Sequence, residues 1–238
     1  MIRVGLCGFT IGAAAYFETF DTLEVQQTFY EPPSRDTMFR WREQAPPGFV
    51  FTIKAWQVIT HRSTSSTYRR MKTRIDDMTA AGGFQLNDTT LRAWTVTRDA
   101  ARLLRAKAIL FQCPASFKPT DENVANMRRF FAAIERLDGV RFLWEPRGAW
   151  PDDLLIELCR DLDLVHTVDP FLRDSVTPEL LYWRAHGIGS AYRPYTDEEL
   201  QSLAARLPPG ADGYVMFNNI PRVGDAKKFM KCLRAVEL

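Results

Sequence analysis

The 238-residue chain has no run of about 18 uncharged apolar residues, the length that a helix needs to cross a bilayer. Nor is a leader expected: Met1 passes directly into the apolar Ile2–Gly8, without the basic flank or small-residue cleavage segment of a secretory signal. These two absences point to an untargeted, cytoplasmic protein with no membrane partner. Cysteine is scarce and scattered, with Cys7, Cys113, Cys159 and Cys232 forming no CxxC pair, so buried thiols are expected rather than disulfides or zinc ligands. Histidine is scarcer still. With only His61, His166 and His186 in the chain, a histidine-rich zinc cluster is excluded as an expectation. Charge of one sign is missing too, since 31 Lys and Arg face 29 Asp and Glu. A net charge of +2 argues against a general nucleic-acid coat and leaves local basic patches open.

What is present is an alternation. The 46% apolar content suffices for one large core, so residues 1–238 are read as one domain. Short β-branched or aromatic runs bounded by turn residues occur at Ile2–Gly8, Leu23–Gln27, Phe49–Ala55, Lys107–Cys113, Val140–Glu145, Leu164–Asp169, Glu179–His186 and Gly213–Asn218. Between most of them lie helical segments: Arg35–Gln44, Leu91–Arg105, Glu122–Leu137, Asp152–Asp161, Asp197–Arg206 and Ala226–Ala235. Thr196 and Glu199 have capping-box spacing at the start of one of these helices. Alternation along a whole chain implies parallel strands covered on both faces, and eight is the number that closes a barrel. The expected fold is therefore α/β, a single (β/α)8 TIM-type barrel. An open doubly wound sheet is the competing architecture, favoured by the short first and sixth crossovers, Thr10–Asp21 and Phe171–Pro178. Against it, no GxGxxG or GxxxxGK[ST] follows the first strand.

One connection is long. Residues 61–90 form an insertion after the third strand, and its first half carries Arg62, Arg69, Arg70, Lys72 and Arg74. A loop of this length leaving the carboxyl end of a barrel strand reads as a lid or binding arm, or as a solvated helical insertion.

Polar residues gather near the same strand ends: Glu24 and Gln26, Thr52 and Lys54, Gln112, Glu145, Thr167 and Asp169, Arg184 and His186, Asn218 and Asn219. Barrel strands are apolar on both faces, so polar side chains there need a reason. The pairs Glu24/Gln26, Thr52/Lys54, Thr167/Asp169 and Arg184/His186 are two residues apart and share a face, which the alternation directs into the barrel mouth. His166 has the opposite parity. Prolines at 114, 146 and 170 close three of the strands and stiffen the departing loops. A charge-paired core network among Glu24, Lys54, Glu145 and Arg184 is the structural alternative to a functional site.

Several strings resemble one family in order along the chain. They are Leu23-Glu24-Val25-Gln26-Gln27-Thr28-Phe29-Tyr30, Phe51-Thr52-Ile53-Lys54-Ala55, Ile59-Thr60-His61, Leu110-Phe111-Gln112-Cys113-Pro114, Trp144-Glu145-Pro146-Arg147, Tyr182-Trp183-Arg184-Ala185-His186-Gly187 and Phe217-Asn218-Asn219. The series is similar to the YecE-like family, domain of unknown function 72. The resemblance implies a TIM-type barrel and no established activity. Gly8-Phe9-Thr10-Ile11-Gly12 departs from the Gly-Trp-Ser-Tyr-like signature usual after the family's first strand.

The residue types suit an enzyme acting on a phosphorylated or phosphodiester substrate, with a small anionic molecule or nucleic acid as partner. Glu145, His186, Asp169 and Lys54 are the candidate catalytic groups, with Glu145 or His186 as general acid or base. Substrate contacts are expected from Glu24, Gln26, Tyr30, His61, Gln112, Arg147, Arg184, Asn218 and Asn219. No cofactor follows from the sequence; a divalent metal between Glu145 and Asp169 would suit the chemistry, but no motif supports it. Two other readings stay open: a non-catalytic barrel binding nucleic acid or an anionic metabolite, and a carbohydrate enzyme using Glu24 and Glu145.

Overall fold

The computed structural model describes the backbone of residues 1–236 and the side chains of residues 1–235. The chain begins with β1 (Ile2–Cys7), α1 (Ala13–Thr19), β2 (Thr22–Val25), α2 (Gln27–Tyr30), α3 (Arg35–Gln44) and β3 (Val50–Lys54). It continues through α4 (Gln57–Thr60), α5 (Asp88–Leu104), β4 (Ala108–Gln112), α6 (Asp121–Ala133), β5 (Arg141–Glu145) and α7 (Asp152–Asp161). The last elements are β6 (Leu164–His166), β7 (Leu181–Ala185), α8 (Asp197–Ala205), β8 (Gly213–Phe217) and α9 (Arg222–Val236). All eight expected strands form, within one to three residues of the expected ends.

Local chemistry sets the helix starts. Ser34, Thr120 and Thr196 accept from the N3 amide of α3, α6 and α8, and Thr196 with Glu199 completes the expected capping box. Helix α5 starts three residues earlier than the apolar pattern suggested, because Asn87 and Thr90 form a second, reciprocal box. Two strand ends also differ. Gln26 has helical backbone angles, φ −78° and ψ −23°, so β2 stops at Val25 and strand parity does not reach Gln26. β6 stops at His166, although Val168 still bridges to Trp183 of β7.

The chain divides into two compact units. The first comprises Met1–Glu24 and the chain from Val165 onward. Its strands pair in parallel in the order β7, β8, β1, β2, with Leu6 registered on Phe217 and on Leu23. Gly5 is required in β1, since a Cβ there would lie 2.3 Å from the Thr22 carbonyl oxygen. Tyr16 of α1, fully buried, donates to Thr22 O at 2.8 Å and accepts from Leu6 N at 2.9 Å, which ties the short first crossover to both strands.

The second unit, Val25–Leu164, holds β3, β4 and β5 in parallel register, with Lys54 opposite Leu110 and Gln112 opposite Glu145. An aromatic core of Phe84, Trp94, Phe111, Phe130, Phe131 and Phe142 packs behind β4 and β5 at ring separations of 5.0–6.4 Å. Phe84 belongs to the long insertion, so that insertion contributes to the core. Two 3-10 turns, Ser66–Arg70 and Met78–Ala80, shape it. Its return leg is pinned by Gly82 N to Val58 O at 2.8 Å and Phe84 N to Ile59 O at 3.0 Å. Its tip is held by Glu31, whose carboxylate accepts from Lys72 N, Thr73 N and the Thr73 hydroxyl.

Among the described residues the cysteines form no disulfide, with Cys7, Cys113 and Cys159 buried and Cys232 half-buried. Burial pushes the Cys159 thiol up to about 12 and holds that of Cys113 higher still, which makes both poor nucleophiles at neutral pH. Among the described residues no helix is long and apolar enough to cross a membrane.

Candidate functional site

In the first unit the carboxyl ends of β2 and β7 carry a buried charge network. Glu24 and Arg184 are both fully buried and meet bidentately, Nε to Oε2 and Nη2 to Oε1, each at 2.9 Å. The Tyr182 hydroxyl donates to Glu24 Oε2 at 3.0 Å, and Arg184 Nη2 lies 3.6 Å from Cys7 Sγ. Arg184 and His186 share the face that strand alternation assigned them, with Arg184 Nη1 3.3 Å from His186 Nε2. The other ring nitrogen, Nδ1, lies 3.3 Å from Asp169 Oδ2, which also accepts the His186 backbone N–H at 3.1 Å. With the proton on Nδ1 facing the carboxylate, Nε2 is the acceptor of the pair. The His186 side chain is 26% exposed and that of Asp169 7%, so the imidazole is the more open to solvent of the two.

The turn after His186 is built to hold it. Gly187 has φ +104°, and a Cβ there would lie 2.6 Å from Ser190 O. Its N–H donates to the Tyr195 hydroxyl at 2.6 Å, and Tyr195 stacks on Phe171, two residues beyond Asp169, at 4.9 Å. Asp225 accepts from Tyr195 N at 3.3 Å and from Asn219 Nδ2 at 2.6 Å, which joins the turns after β7 and β8.

The second unit gathers a different set. Lys54 ends β3, buried, with its Nζ 2.7 Å from Gln112 Oε1 at the end of β4 and 3.8 Å from the centre of the Phe29 ring. Glu145 ends β5 and accepts from Arg147 Nε at 3.0 Å; the Arg147 side chain is 41% exposed. His61, buried, has Nδ1 2.8 Å from the Thr60 hydroxyl and packs edge-on to Phe29 at 4.9 Å. Burial, and then the positive fields of Lys54 and Arg147, lower its pKa to about 4, so the ring is neutral at pH 7. Tyr30 is half-buried beneath the Arg70 guanidinium, 3.7 Å from the ring centre.

The structure thus brings Glu24, Asp169, Arg184 and His186 together in one unit, and Lys54, Gln112, Glu145, Arg147 and His61 in the other. Three expectations need correction. Arg184 and Glu24 were read as substrate contacts, but both are fully buried and directed at each other, so they form framework. The carboxylate pair of the carbohydrate reading loses Glu24 for the same reason. Asn219 is also fully buried, donating to Asp225, whereas Asn218 remains half-buried. Among the described residues no three His, Cys, Asp or Glu side chains gather in a way that could hold a metal.

Arg222 was missed. It opens α9 just after the Asn218-Asn219 turn, half-buried, and its Nη1 donates to Cys7 O at 2.6 Å while its buried Nε has no protein acceptor among the described residues. Its signal in the sequence was Pro221-Arg222 directly after the last strand, where barrels commonly bind phosphate.

A family model described as a protein of unknown function, DUF72, matches residues 13–237. The chain belongs to the DUF72 family. Solved DUF72 proteins share its fold. One from Enterococcus faecalis V583 has a TM-score of 0.74 at 18% identity, covering 98% of this chain and 96% of its own. Another from Thermotoga maritima MSB8 has a TM-score of 0.73 at 21% identity, covering 98% and 99%. Beyond the family, endonuclease IV from Thermus thermophilus is similar at a TM-score of 0.53 and 12% identity, with 98% of each chain covered. The fold of this DUF72 chain is accordingly α/β, a (β/α)8 TIM-type barrel. No curated protein matches it.

Proposed function

We propose that this DUF72 protein is an enzyme acting on a phosphorylated or phosphodiester substrate, with His186 transferring the proton and Asp169 orienting it. The observation that carries this reading is the Asp169–His186 contact: a solvent-reachable imidazole whose Nδ1 and backbone N–H both face one carboxylate, itself 7% exposed. Such an arrangement, a titratable group oriented by a neighbouring carboxylate, suits general acid–base catalysis. The Nδ1–Asp169 and Nε2–Arg184 separations are both 3.3 Å, but Asp169 is also anchored to the His186 backbone N–H at 3.1 Å, so Nε2 is the nitrogen assigned to a substrate hydroxyl or water. Arg184, compensated by Glu24, stays in place and contributes field and rigidity. Arg222 and Asn218, at the turn after β8, are assigned to the phosphate oxygens. The fold likeness to endonuclease IV, and to a protein named SacUVDE at a TM-score of 0.60 and 8% identity, fits a phosphodiester loosely.

The test is a screen of phosphodiesters, phosphomonoesters and glycosides, each with and without added Mg²⁺ or Mn²⁺. Turnover of a phosphate ester is expected, with His186→Ala lowering kcat by roughly 10²–10⁴-fold and Asp169→Asn lowering it less. Full rate in both variants would remove the site assignment, and turnover of glycosides alone would remove the substrate class. Glu145→Gln and Lys54→Met, run beside them, ask whether the second unit's polar set has a part in the rate.

A binding reading has one observation of its own. Arg69, Arg70, Lys72 and Arg74 are exposed within six residues of the insertion, and Arg70 stacks on Tyr30. Such a cationic strip suits a polyanion held without turnover. If it binds single-stranded or duplex DNA, the logarithm of the affinity falls steeply with the logarithm of salt, and replacing two of these residues by Gln flattens the slope.

A further inference from the structure

Most of the exposed arginines on the helices of the second unit are engaged: Arg98 and Arg102 share Glu135, and Arg128 bridges Glu157 and Asp161. The insertion differs. Among the described residues the side chains of Arg69, Arg70, Lys72 and Arg74, all exposed, enter no ion pair or hydrogen bond. The acids that follow them are occupied, Asp76 by Arg92 at 3.3 Å and Asp77 by the amide and hydroxyl of Thr79 at 2.9 and 2.6 Å. The strip therefore keeps an excess of positive charge.

Its backbone is tied down at three points. The Tyr68 hydroxyl donates to His61 O at 2.8 Å, and the Arg70 guanidinium lies 3.7 Å from the centre of the Tyr30 ring. The third point is one carboxylate. Glu31, at the end of α2, accepts from Lys72 N at 2.8 Å, Thr73 N at 3.1 Å and the Thr73 hydroxyl at 2.6 Å. Burial pushes the Glu31 pKa up, but the Thr73 hydroxyl, then the amides of Thr73 and Lys72 and the Lys72 charge, hold it below the ordinary value, so the anchor is ionised at neutral pH. Separate cations along a fixed chain suit a repeating phosphate backbone. Among the described residues no large apolar side chain between 62 and 74 is exposed, so the segment lacks the face that a membrane-surface arm would insert.

We propose that this segment is a preorganised arm for the phosphate backbone of a nucleic acid, and that Glu31 is its positioning residue, a role that rests on the polyanion-binding reading of the insertion. The sign of the charge makes the role testable. A carboxylate beside four cations repels phosphate, so by charge alone its removal strengthens binding, and only its hold on the backbone predicts a loss.

Fluorescence anisotropy of labelled oligothymidine, and of a duplex of the same length, reads binding at low salt. Glu31→Ala is expected to weaken it roughly 2–10-fold, the effect of leaving one or so side chains to be ordered on binding. Hydrogen exchange at the Lys72 and Thr73 amides should speed in the same variant. Glu31→Gln, which keeps one acceptor, is expected to weaken binding less, and it carries the test should Glu31→Ala fold poorly. Asp76→Asn removes a neighbouring charge outside the anchor and is expected to leave binding unchanged or stronger. Absence of saturable binding of either nucleic acid would overturn the arm together with the polyanion-binding reading. Binding strengthened by loss of Glu31 as by loss of Asp76, or amide exchange unaltered at Lys72 and Thr73, would overturn the role of Glu31 while that reading stands. Tighter binding to phosphatidylserine vesicles than to either nucleic acid would overturn the partner class.

Discussion

The two units answer the same problem, charge at the end of a strand, in opposite ways. In the first, Glu24 and Arg184 close on one another with no exposure, and the network opens to solvent at His186. In the second, Lys54 is buried against an amide and a ring, and the carboxylate of Glu145 is met by an arginine that stays 41% exposed. The contrast shows that a strand-end charge is not by itself a ligand contact. A closed bidentate pair spends its hydrogen-bonding capacity inside the protein, while a half-open pair keeps part of it for something else.

That contrast has measurable consequences, the largest in the closed pair. Arg184→Met takes the bidentate partner from the buried Glu24 carboxylate and should cost about 3–5 kcal/mol, a fall in Tm of roughly 10 °C. Glu24→Leu combined with Arg184→Met should recover much of that loss, and thermal denaturation of the single and double variants reads both effects. A double variant no more stable than Arg184→Met would show that the pair is more than a self-compensating unit.

His61 gives the next largest effect. Its folded pKa lies near 4, below the ordinary 6.5, so the unfolded chain takes up the proton first as pH falls. Stability from this group is complete above pH 6.5, is lost between 6.5 and about 4, and falls no further below that. The loss is at most about 3 kcal/mol. Denaturant midpoints across this range should slope less in His61→Gln, and an imidazole NMR titration with a midpoint near 6.5 would refute the burial argument.

Gly82 tests how firmly the insertion is seated beside that histidine. It has φ +82°, and a Cβ would lie 2.3 Å from the His61 carbonyl. Gly82→Ala should cost about 2 kcal/mol and speed hydrogen exchange at Gly82 and Phe84. Smallest of all should be Arg147→Ala, expected to cost less than Gly82→Ala because the Arg147 side chain is 41% exposed although Glu145 is 6% exposed. A loss comparable to that of Arg184→Met would erase the distinction between the closed and half-open pairs.

Much of the scaffold was legible before any coordinates. The helices Arg35–Gln44 and Asp152–Asp161 begin and end where their apolar periodicity places them, the first with a side-chain cap from Ser34. The side chains of Arg184 and His186, paired by parity, lie 3.3 Å apart, although His186 is one residue beyond β7. Parity failed at Gln26, where the chain had already turned into α2, and sequence spacing alone could not show that change of period. Asp169 was chosen as a strand residue and is in fact beyond β6, yet it reaches His186 through the bridge between Val168 and Trp183.

What the sequence determined alone is the set of short-range choices: the alternation of strands and helices, the caps at Ser34, Thr120 and Thr196, and the types of charged group at the strand ends. Only the tertiary structure decided which of those charges neutralise one another, for Glu24 and Arg184 are 160 residues apart and nothing near either names the other. Propensity and periodicity act over one or two turns of chain, whereas the partner of a buried charge is set by packing among distant segments.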